Sequence, residues 1–156
     1  MHRTPLTHLL PVPSNGMLLT ASTDGTVKIW KRTGAAEGVE FVKSYASHSG
    51  PVVAAASTGD GRDIATIGED GCIKVYDMTT FDVKSMLKVP SRIGAFGDSA
   101  VFVGRGNEGI AVTLKGGTGV EVYDLEGDGG GAVRTITVHP GVVTAMEDLG
   151  DGMVMR

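Results

Sequence analysis

Short stretches in which hydrophobic and polar residues alternate recur along the chain. Val27 and Ile29, for example, are separated by polar Lys28, and a two-residue period is typical of a β-strand with one packed face. These stretches are separated by glycine-rich turns such as Asp24-Gly25, which favour tight hairpins. No window of a dozen residues keeps a helical period without an interrupting Gly or Pro. The pattern therefore predicts an all-β chain of many short strands.

The hairpin sequence at residues 24–30 recurs further along the chain. DGTVKIW at 24–30 matches DGCIKVY at 70–76, 46 residues later, and a weaker copy, GTGVEVY, lies 47 residues after that at 117–123. Each copy ends on an aromatic residue and carries the same alternating apolar positions. A period of this length with four short strands per unit is the signature of a β-propeller blade.

A second landmark keeps the same spacing. His2 lies 28 residues before Trp30, and His48 lies 28 residues before Tyr76. We therefore expect a partial β-propeller of about three four-stranded blades and the start of a fourth. The predicted units cover about 2–47, 48–93 and 94–138, with the next unit beginning at 139–156 and its first strand near 142–146.

Four recurring polar residues of the first unit predict a structural hydrogen-bonded network: His2, Ser22, Asp24 and Trp30. A buried indole N–H needs an acceptor, which a strand hydroxyl can supply. The serine can then bond to the imidazole, and the turn carboxylate can hold the other imidazole nitrogen. Such a network would fix a loop against the hairpin.

The second unit has only part of this set, His48, Asp70 and Tyr76, with Gly68 where the serine would fall. The third unit lacks both the histidine and the aspartate, so we expect the network to be most complete in the first unit. Ser, His and Asp also compose a hydrolase triad. The recurrence of the set at one position of the repeat, and the lack of a nucleophile elbow, favour the structural interpretation.

GRGNEG, residues 104–109, matches the G-x-G-x-x-G pattern of dinucleotide-binding loops. Such a site needs a helix directly after the glycines. Here a short strand sequence, IAVTLKGG, follows instead. We therefore predict a turn between two strands, and no cofactor or metal site in the chain.

Composition narrows the classes of partner. The formal net charge is −4, and no dense run of Lys or Arg suggests direct nucleic-acid binding. The apolar runs are too short to span a membrane. Cys72 is the only cysteine, which excludes a disulfide framework within the chain and a Cys-rich zinc site. A cytosolic or nuclear location fits this cysteine usage.

The repeated hairpins and spaced histidines resemble the WD-repeat family. The segments EGVEFVKSYASH at 37–48, CIKVYDMTTFDVKSMLK at 72–88 and GTGVEVYD at 117–124 resemble, more narrowly, the propellers of the peptidylprolyl isomerase domain and WD repeat-containing family. That resemblance implies a nuclear, spliceosome-associated cyclophilin whose C-terminal domain isomerises X-Pro bonds. The catalytic residues of the family belong to that domain, and none aligns with this chain, from which the cyclophilin domain is absent.

Three classes of function therefore stay open. The chain is interpreted first as the propeller portion of a cyclophilin-type isomerase, a platform for protein or peptide partners that the resemblance implies to be spliceosomal. The second class is a stand-alone WD-repeat scaffold without catalytic activity. The third is an enzyme that uses the Ser/His/Asp set or GRGNEG. Because propellers need more blades to close a ring, we interpret the chain as a fragment and expect it to self-associate when produced alone.

Overall fold

The computed structural model describes residues 1–34, 38–117, 119–126, 134–137, 146–148 and 153–155. Within these ranges the chain is built from short β-strands and one 3₁₀ turn, Pro90–Arg92. The strands are β1 (Leu6–Val12), β2 (Met17–Ser22), β3 (Thr26–Arg32), β4 (Val39–Ala46), β5 (Val52–Ser57), β6 (Asp63–Gly68), β7 (Cys72–Asp77), β8 (Asp82–Lys88), β9 (Phe96–Val103), β10 (Gly109–Leu114), β11 (Gly119–Asp124), β12 (Arg134–Thr137), β13 (Met146–Asp148) and β14 (Met153–Met155).

Consecutive strands pair into antiparallel sheets. Strands β1–β4, β5–β8 and β9–β12 form three four-stranded sheets, each in chain order, and β13 pairs with β14. The innermost strands β1, β5, β9 and β13 contact one another in succession, so the sheets stack side by side as propeller blades do. The all-β prediction of three four-stranded blades and the start of a fourth is confirmed. Residues 142–145 of the predicted next strand lie outside the described residues.

The hydrophobic core lies between neighbouring sheets. The first and second sheets enclose one cluster of buried residues, to which Leu19, Ile29 and Ile64 belong. The second and third sheets enclose another, which includes Ile73, Phe102 and Tyr123. Each four-stranded sheet therefore depends on its neighbours to bury its apolar faces.

The recurring Asp-Gly turn also anchors the next sheet. Gly25 has a φ of +78°, and a Cβ at this position would come within 2.0 Å of the His48 carbonyl oxygen, so only glycine fits without strain. The Gly25 carbonyl accepts the backbone N–H groups of Ser47 and His48, both at 3.1 Å. The turn between β2 and β3 thus holds the segment that leads into β5.

One face of the first sheet lies open to solvent. Strand register places Leu9, Trp30 and Phe41 on the face opposite the one that packs on the second sheet. Leu9 is 64% exposed and Phe41 is 52% exposed, whereas Tyr76, which occupies the position of Trp30 in the second sheet, is 0% exposed. The first sheet covers this face of the second, while no described sheet packs on the same face of the first, where only His2 and Met1 reach Thr20 and Lys28.

Candidate functional site

The predicted residues of the first unit form a continuous chain of hydrogen bonds. The indole N–H of Trp30 donates to Thr20 Oγ1 at 2.9 Å, and Thr20 Oγ1 lies 2.8 Å from His2 Nε2. The other imidazole nitrogen, Nδ1, lies 2.9 Å from Ser22 Oγ, and Ser22 donates to Asp24 Oδ1 at 2.6 Å. The structure thus brings His2, Ser22, Asp24 and Trp30 together through a fifth residue, Thr20.

In this series of hydrogen bonds, each donor points in the same direction, from Trp30 towards Asp24. Thr20 accepts from the indole and so gives its own proton to His2 Nε2, while His2 Nδ1–H donates to Ser22, whose proton goes to Asp24. This order uses one donor and one acceptor of each hydroxyl and a neutral imidazole. Burial and Lys28 both lower the pKa of His2, which favours that neutral form.

Two details differ from the sequence prediction. The acceptor of the Trp30 indole is Thr20, which sequence reasoning missed, and Asp24 bonds to Ser22 and not to the imidazole. The missing signal was a spacing, because Thr20 lies ten residues before Trp30 as Thr66 lies ten before Tyr76. Asp24 also accepts the backbone N–H of Thr26 at 3.0 Å, so it belongs to the turn.

The geometry does not support a hydrolase triad. Ser22 is 0% exposed, and its hydroxyl proton already bonds to Asp24 at 2.6 Å, while His2 Nδ1, 2.9 Å from the same oxygen, acts as a donor to it in this series of hydrogen bonds. A nucleophile needs a proton acceptor and access to substrate. Ser22 therefore acts as a bridge between the histidine and the turn carboxylate.

The second sheet holds a shorter version of the network. His48 Nε2 lies 2.9 Å from Thr66 Oγ1, and its Nδ1 lies 3.1 Å from Asp70 Oδ1. The Asp70 carboxylate also accepts the backbone N–H of Ser49 at 3.0 Å. The Tyr76 hydroxyl lies 2.5 Å from Ser47 Oγ and also interacts with the Thr66 side chain. Histidine and aspartate are in direct contact here, without a bridging serine.

The missing serine explains the direct contact. A Cβ added to Gly68 would lie 2.3 Å from Asp70 Oδ1 and 2.3 Å from His48 Nδ1. The absent side chain therefore leaves the space in which the two partners meet. In the first sheet Ser22 bridges the histidine and the aspartate, whereas in the second sheet Gly68 leaves space for the two to meet directly.

Restoring the serine is expected to destabilise the protein. Gly68→Ser should lower the free energy of unfolding by about 1–3 kcal/mol, because the new side chain must displace His48 or Asp70. Urea denaturation measures the loss. Gly59→Ser is the matched control, since a Cβ there meets no atom within 4 Å. A Gly68→Ser variant as stable as the control would contradict this account of the site.

His48 is also expected to make stability depend on pH. Burial lowers its pKa below the usual 6.5, although Asp70 opposes the shift. The unfolded chain therefore takes up a proton near pH 6.5 that the folded site resists, and stability is lost as the pH falls below that value. In urea titrations between about pH 7 and pH 5, His48→Gln should show a shallower loss than the wild type. Parallel pH curves would exclude a contribution from His48.

The third sheet carries a different polar network that sequence reasoning missed. Arg92 Nε donates to Glu121 Oε2 at 2.7 Å, and a second guanidinium nitrogen donates to Oε1. The Tyr123 hydroxyl donates to the same carboxylate. The Arg92 hydrogen bonds lower the pKa of Glu121 despite burial. A charged pair thus occupies the place that histidine and threonine occupy in the other sheets.

The connecting segment explains how Arg92 reaches this position. The N–H of Val89 donates to the Gly71 carbonyl at 2.8 Å, just as Ser47 and His48 donate to Gly25. Arg92 therefore lies in the connection from the second sheet to the third, just as His48 lies in the connection from the first sheet to the second. The third unit lacks the histidine and the aspartate of the other two, but it keeps a buried polar link between the connection and its sheet.

The glycine pattern at 104–109 forms a hairpin loop. Strand β9 ends at Val103, β10 begins at Gly109, and these two residues are paired. The Glu108 carboxylate accepts the backbone N–H of Gly106 at 2.7 Å, which places a negative charge over the loop. A strand follows the loop where a dinucleotide site needs a helix, and the negative charge of Glu108 does not suit a pyrophosphate, so the predicted turn is what the structure contains.

The described part of the chain offers little else for chemistry. It contains no group of three or more His, Cys, Asp or Glu side chains that could hold a metal ion. It also has no helix with the length and apolar character needed to cross a membrane. Cys72 is buried within β7, and burial raises the pKa of its thiol, so this cysteine is packed and not activated.

Comparison with known sequences identifies the repeat. The family described as WD domain, G-beta repeat, matches residues 1–31 and 39–77. The human peptidylprolyl isomerase domain and WD repeat-containing protein 1 is 34% identical over 131 residues, which are 82% of this chain and 19% of that protein. Peptidyl-prolyl cis-trans isomerase cyp15 of Rhizopus delemar is 34% identical over 83% of this chain and 20% of its own length. The chain thus spans about a fifth of these curated relatives.

Comparison with solved structures gives the same fold. Sqt1 of Chaetomium thermophilum, bound to the N-terminus of the ribosomal protein L10, aligns with a TM-score of 0.72 at 20% identity, over 96% of this chain and 43% of the solved chain. At that identity the match concerns architecture alone. The strand order, the repeated turns and the sequence relatives agree. The chain is therefore a set of WD repeats folded as part of a β-propeller, and it is homologous to the peptidylprolyl isomerase domain and WD repeat-containing proteins.

Proposed function

We propose that the chain is the WD-repeat portion of a cyclophilin-type peptidyl-prolyl cis-trans isomerase, in which it binds protein partners and holds them near the isomerase domain. The observation that carries the proposal is the identity of 34% over 82% of the chain with a human protein whose name joins an isomerase domain to WD repeats. Nuclear localisation and spliceosomal partners belong to the same proposal and rest on the family resemblance.

The chemistry of the described residues supports a binding role. The polar networks of all three sheets use their donors and acceptors internally, between a connection and a strand. Side chains whose donors and acceptors are occupied by these internal hydrogen bonds are not free to take part in acid–base catalysis. Sqt1, whose fold is similar, is bound to a ribosomal protein segment, which supports a peptide or protein as the class of partner.

The test begins with the full-length transcript, read outward from both ends of this segment. We expect further WD repeats and a cyclophilin domain in the same reading frame. The full-length product should accelerate isomerisation of an X-Pro tetrapeptide, whereas residues 1–156 alone should leave it at its uncatalysed timescale of about tens to hundreds of seconds. A transcript without a cyclophilin domain would contradict the isomerase assignment and favour a stand-alone scaffold.

Partner binding needs its own measurement. Proximity labelling with the full-length protein should identify neighbouring proteins that are lost when residues 1–156 are deleted, and fluorescence imaging should place the protein in the nucleus. Spliceosomal proteins among the lost neighbours would support the finer proposal. Unchanged neighbours after the deletion would contradict a platform role for these repeats.

A further inference from the structure

The similarity of the three sheets raises the question of what fixes their order. Their central strands pair in the same antiparallel way, and residues 24–30 match residues 70–76 closely. The third sheet buries one face against the second, whereas the same face of the first sheet is open to solvent. The first sheet of another copy could therefore take the place of the third. Hydrophobic packing is non-directional, so excluding this exchange needs a polar contact.

One register position distinguishes the third sheet from the other two. It pairs Glu121 with Val112, where the first sheet pairs Lys28 with Thr20 and the second also pairs a lysine with a threonine. Glu121 is buried, and its carboxylate accepts two hydrogen bonds from Arg92, in the connection that leads from the second sheet. A buried carboxylate that loses its cationic partner is costly. The third sheet therefore needs a connection that carries a cation.

The first sheet has the opposite charge at that position. Lys28 lies close enough to His2 to lower the pKa of the imidazole, which favours a neutral docking residue. Asp24, the carboxylate of that site, already accepts hydrogen bonds within its own sheet. Arg92 placed over this sheet would face Lys28, and like charges in a partly buried site repel each other. The same exchange would leave Glu121 without its cation.

We infer that the Arg92–Glu121 ion pair selects the third sheet as the neighbour of the second and excludes the first sheet of another copy from that place. The correct contact satisfies both charges, whereas the exchanged contact repels one and leaves the other unpaired. Charge complementarity of this kind gives specificity where packing alone does not discriminate. The pair therefore determines which sheet docks, in addition to its contribution to stability.

The test reverses the charges of the pair. In the variant Arg92→Glu with Glu121→Lys, the correct contact still joins opposite charges. The third sheet then carries a lysine as the first sheet does, and the introduced glutamate can pair equally well with Lys28 of another copy. The reversal therefore keeps a local ion pair and removes the discrimination between the two sheets.

A cross-link across the cleft between the second and third sheets measures correct docking. Lys84 and Glu126 both line this cleft, so Lys84→Cys and Glu126→Cys can be joined by a short bismaleimide, with Cys72→Ala in every sample. The intact chain is refolded from urea at increasing protein concentration and then cross-linked. The native pair should give mainly the cross-link within one molecule. The reversed pair should lose about threefold of this product at the highest concentration, because exchange between molecules competes.

Two further variants complete the test. Lys115→Glu with Glu69→Lys reverses an exposed ion pair, at 3.7 Å, between the same two sheets, and should leave the cross-linked fraction unchanged. The second variant, Arg92→His with Glu121→Lys and Val112→Thr, gives the third sheet the residue types of the other two, and it should lose the cross-link as the reversed pair does. Circular dichroism checks that each variant folds. Native levels of the cross-link in either folded variant, or an equal loss in the exposed-pair control, would overturn the inference.

Discussion

Replacing Glu121 by alanine is expected to lower the free energy of unfolding by about 3–5 kcal/mol, the largest loss that we expect for a polar residue of the described ranges. Glu121 is 1% exposed and receives hydrogen bonds from both Arg92 and Tyr123. Tyr123 is 0% exposed, so its hydroxyl cannot turn to water when the carboxylate is removed. The loss therefore combines a broken ion pair with an unsatisfied buried donor. Urea denaturation followed by circular dichroism measures it.

Two further variants separate the polar network from simple packing. Glu40→Ala, on the exposed outer strand β4, should change stability by less than about 0.5 kcal/mol. A triple variant, Glu121→Leu with Arg92→Met and Tyr123→Phe, should recover much of the loss, because it removes every partner of the network together. If Glu121→Ala is no worse than Glu40→Ala, the carboxylate does not hold the third sheet to its connection.

The sheets were predictable because their signals are local and repeated. Alternation of apolar residues defines each strand, and the Asp-Gly turns at Gly25 and Gly71 define each central hairpin. The spacing of 46 residues between the first two copies then fixes how many units the chain contains. Each of these features needs only neighbouring residues or a simple period, so sequence suffices.

The acceptor of the Trp30 indole was not predictable in the same way. Thr20 and Ser22 lie two residues apart on one strand and project from the same face, so either hydroxyl was a chemically adequate acceptor. The choice depends on strand register, which pairs Leu18 with Trp30 and Thr20 with Lys28. Thr20 is therefore the nearer hydroxyl, and Ser22 lies one step further along the strand, next to the turn.

The network of the third sheet was missed because its chemistry differs while its position is conserved within the chain. Register pairs Glu121 with Val112, where the other sheets pair Lys28 with Thr20 and Lys74 with Thr66. The third sheet therefore has Val112 where the other two have threonine, and Glu121 where they have lysine. A search for histidine and aspartate could not find this site. The available signal was a glutamate at a strand position whose side chain should be buried, because a buried carboxylate needs a cationic partner.

The 156-residue chain alone is expected to self-associate through the open face of its first sheet, and polar substitutions there should weaken this association strongly. Leu9 and Phe41 are largely exposed on that face, and burying a Leu or Phe side chain contributes about 1.5–3 kcal/mol. Leu9→Lys with Phe41→Lys should therefore weaken self-association about a hundredfold or more. Sedimentation velocity over a range of protein concentrations measures the change.

The matched control uses an equally exposed pair that lies on a covered sheet. Val83 and Met86 are 47% and 61% exposed on β8, the outer strand of the second sheet, whose inner strands are already packed against the first. Val83→Lys with Met86→Lys should leave self-association almost unchanged, because these residues do not belong to the open face of the first sheet. Two results would show that the open face does not mediate self-association. One is a wild-type chain that stays monomeric, and the other is a control variant that weakens self-association as much as Leu9→Lys with Phe41→Lys does. The predicted asymmetry follows from the repeat itself, since the same face is buried wherever another blade precedes it.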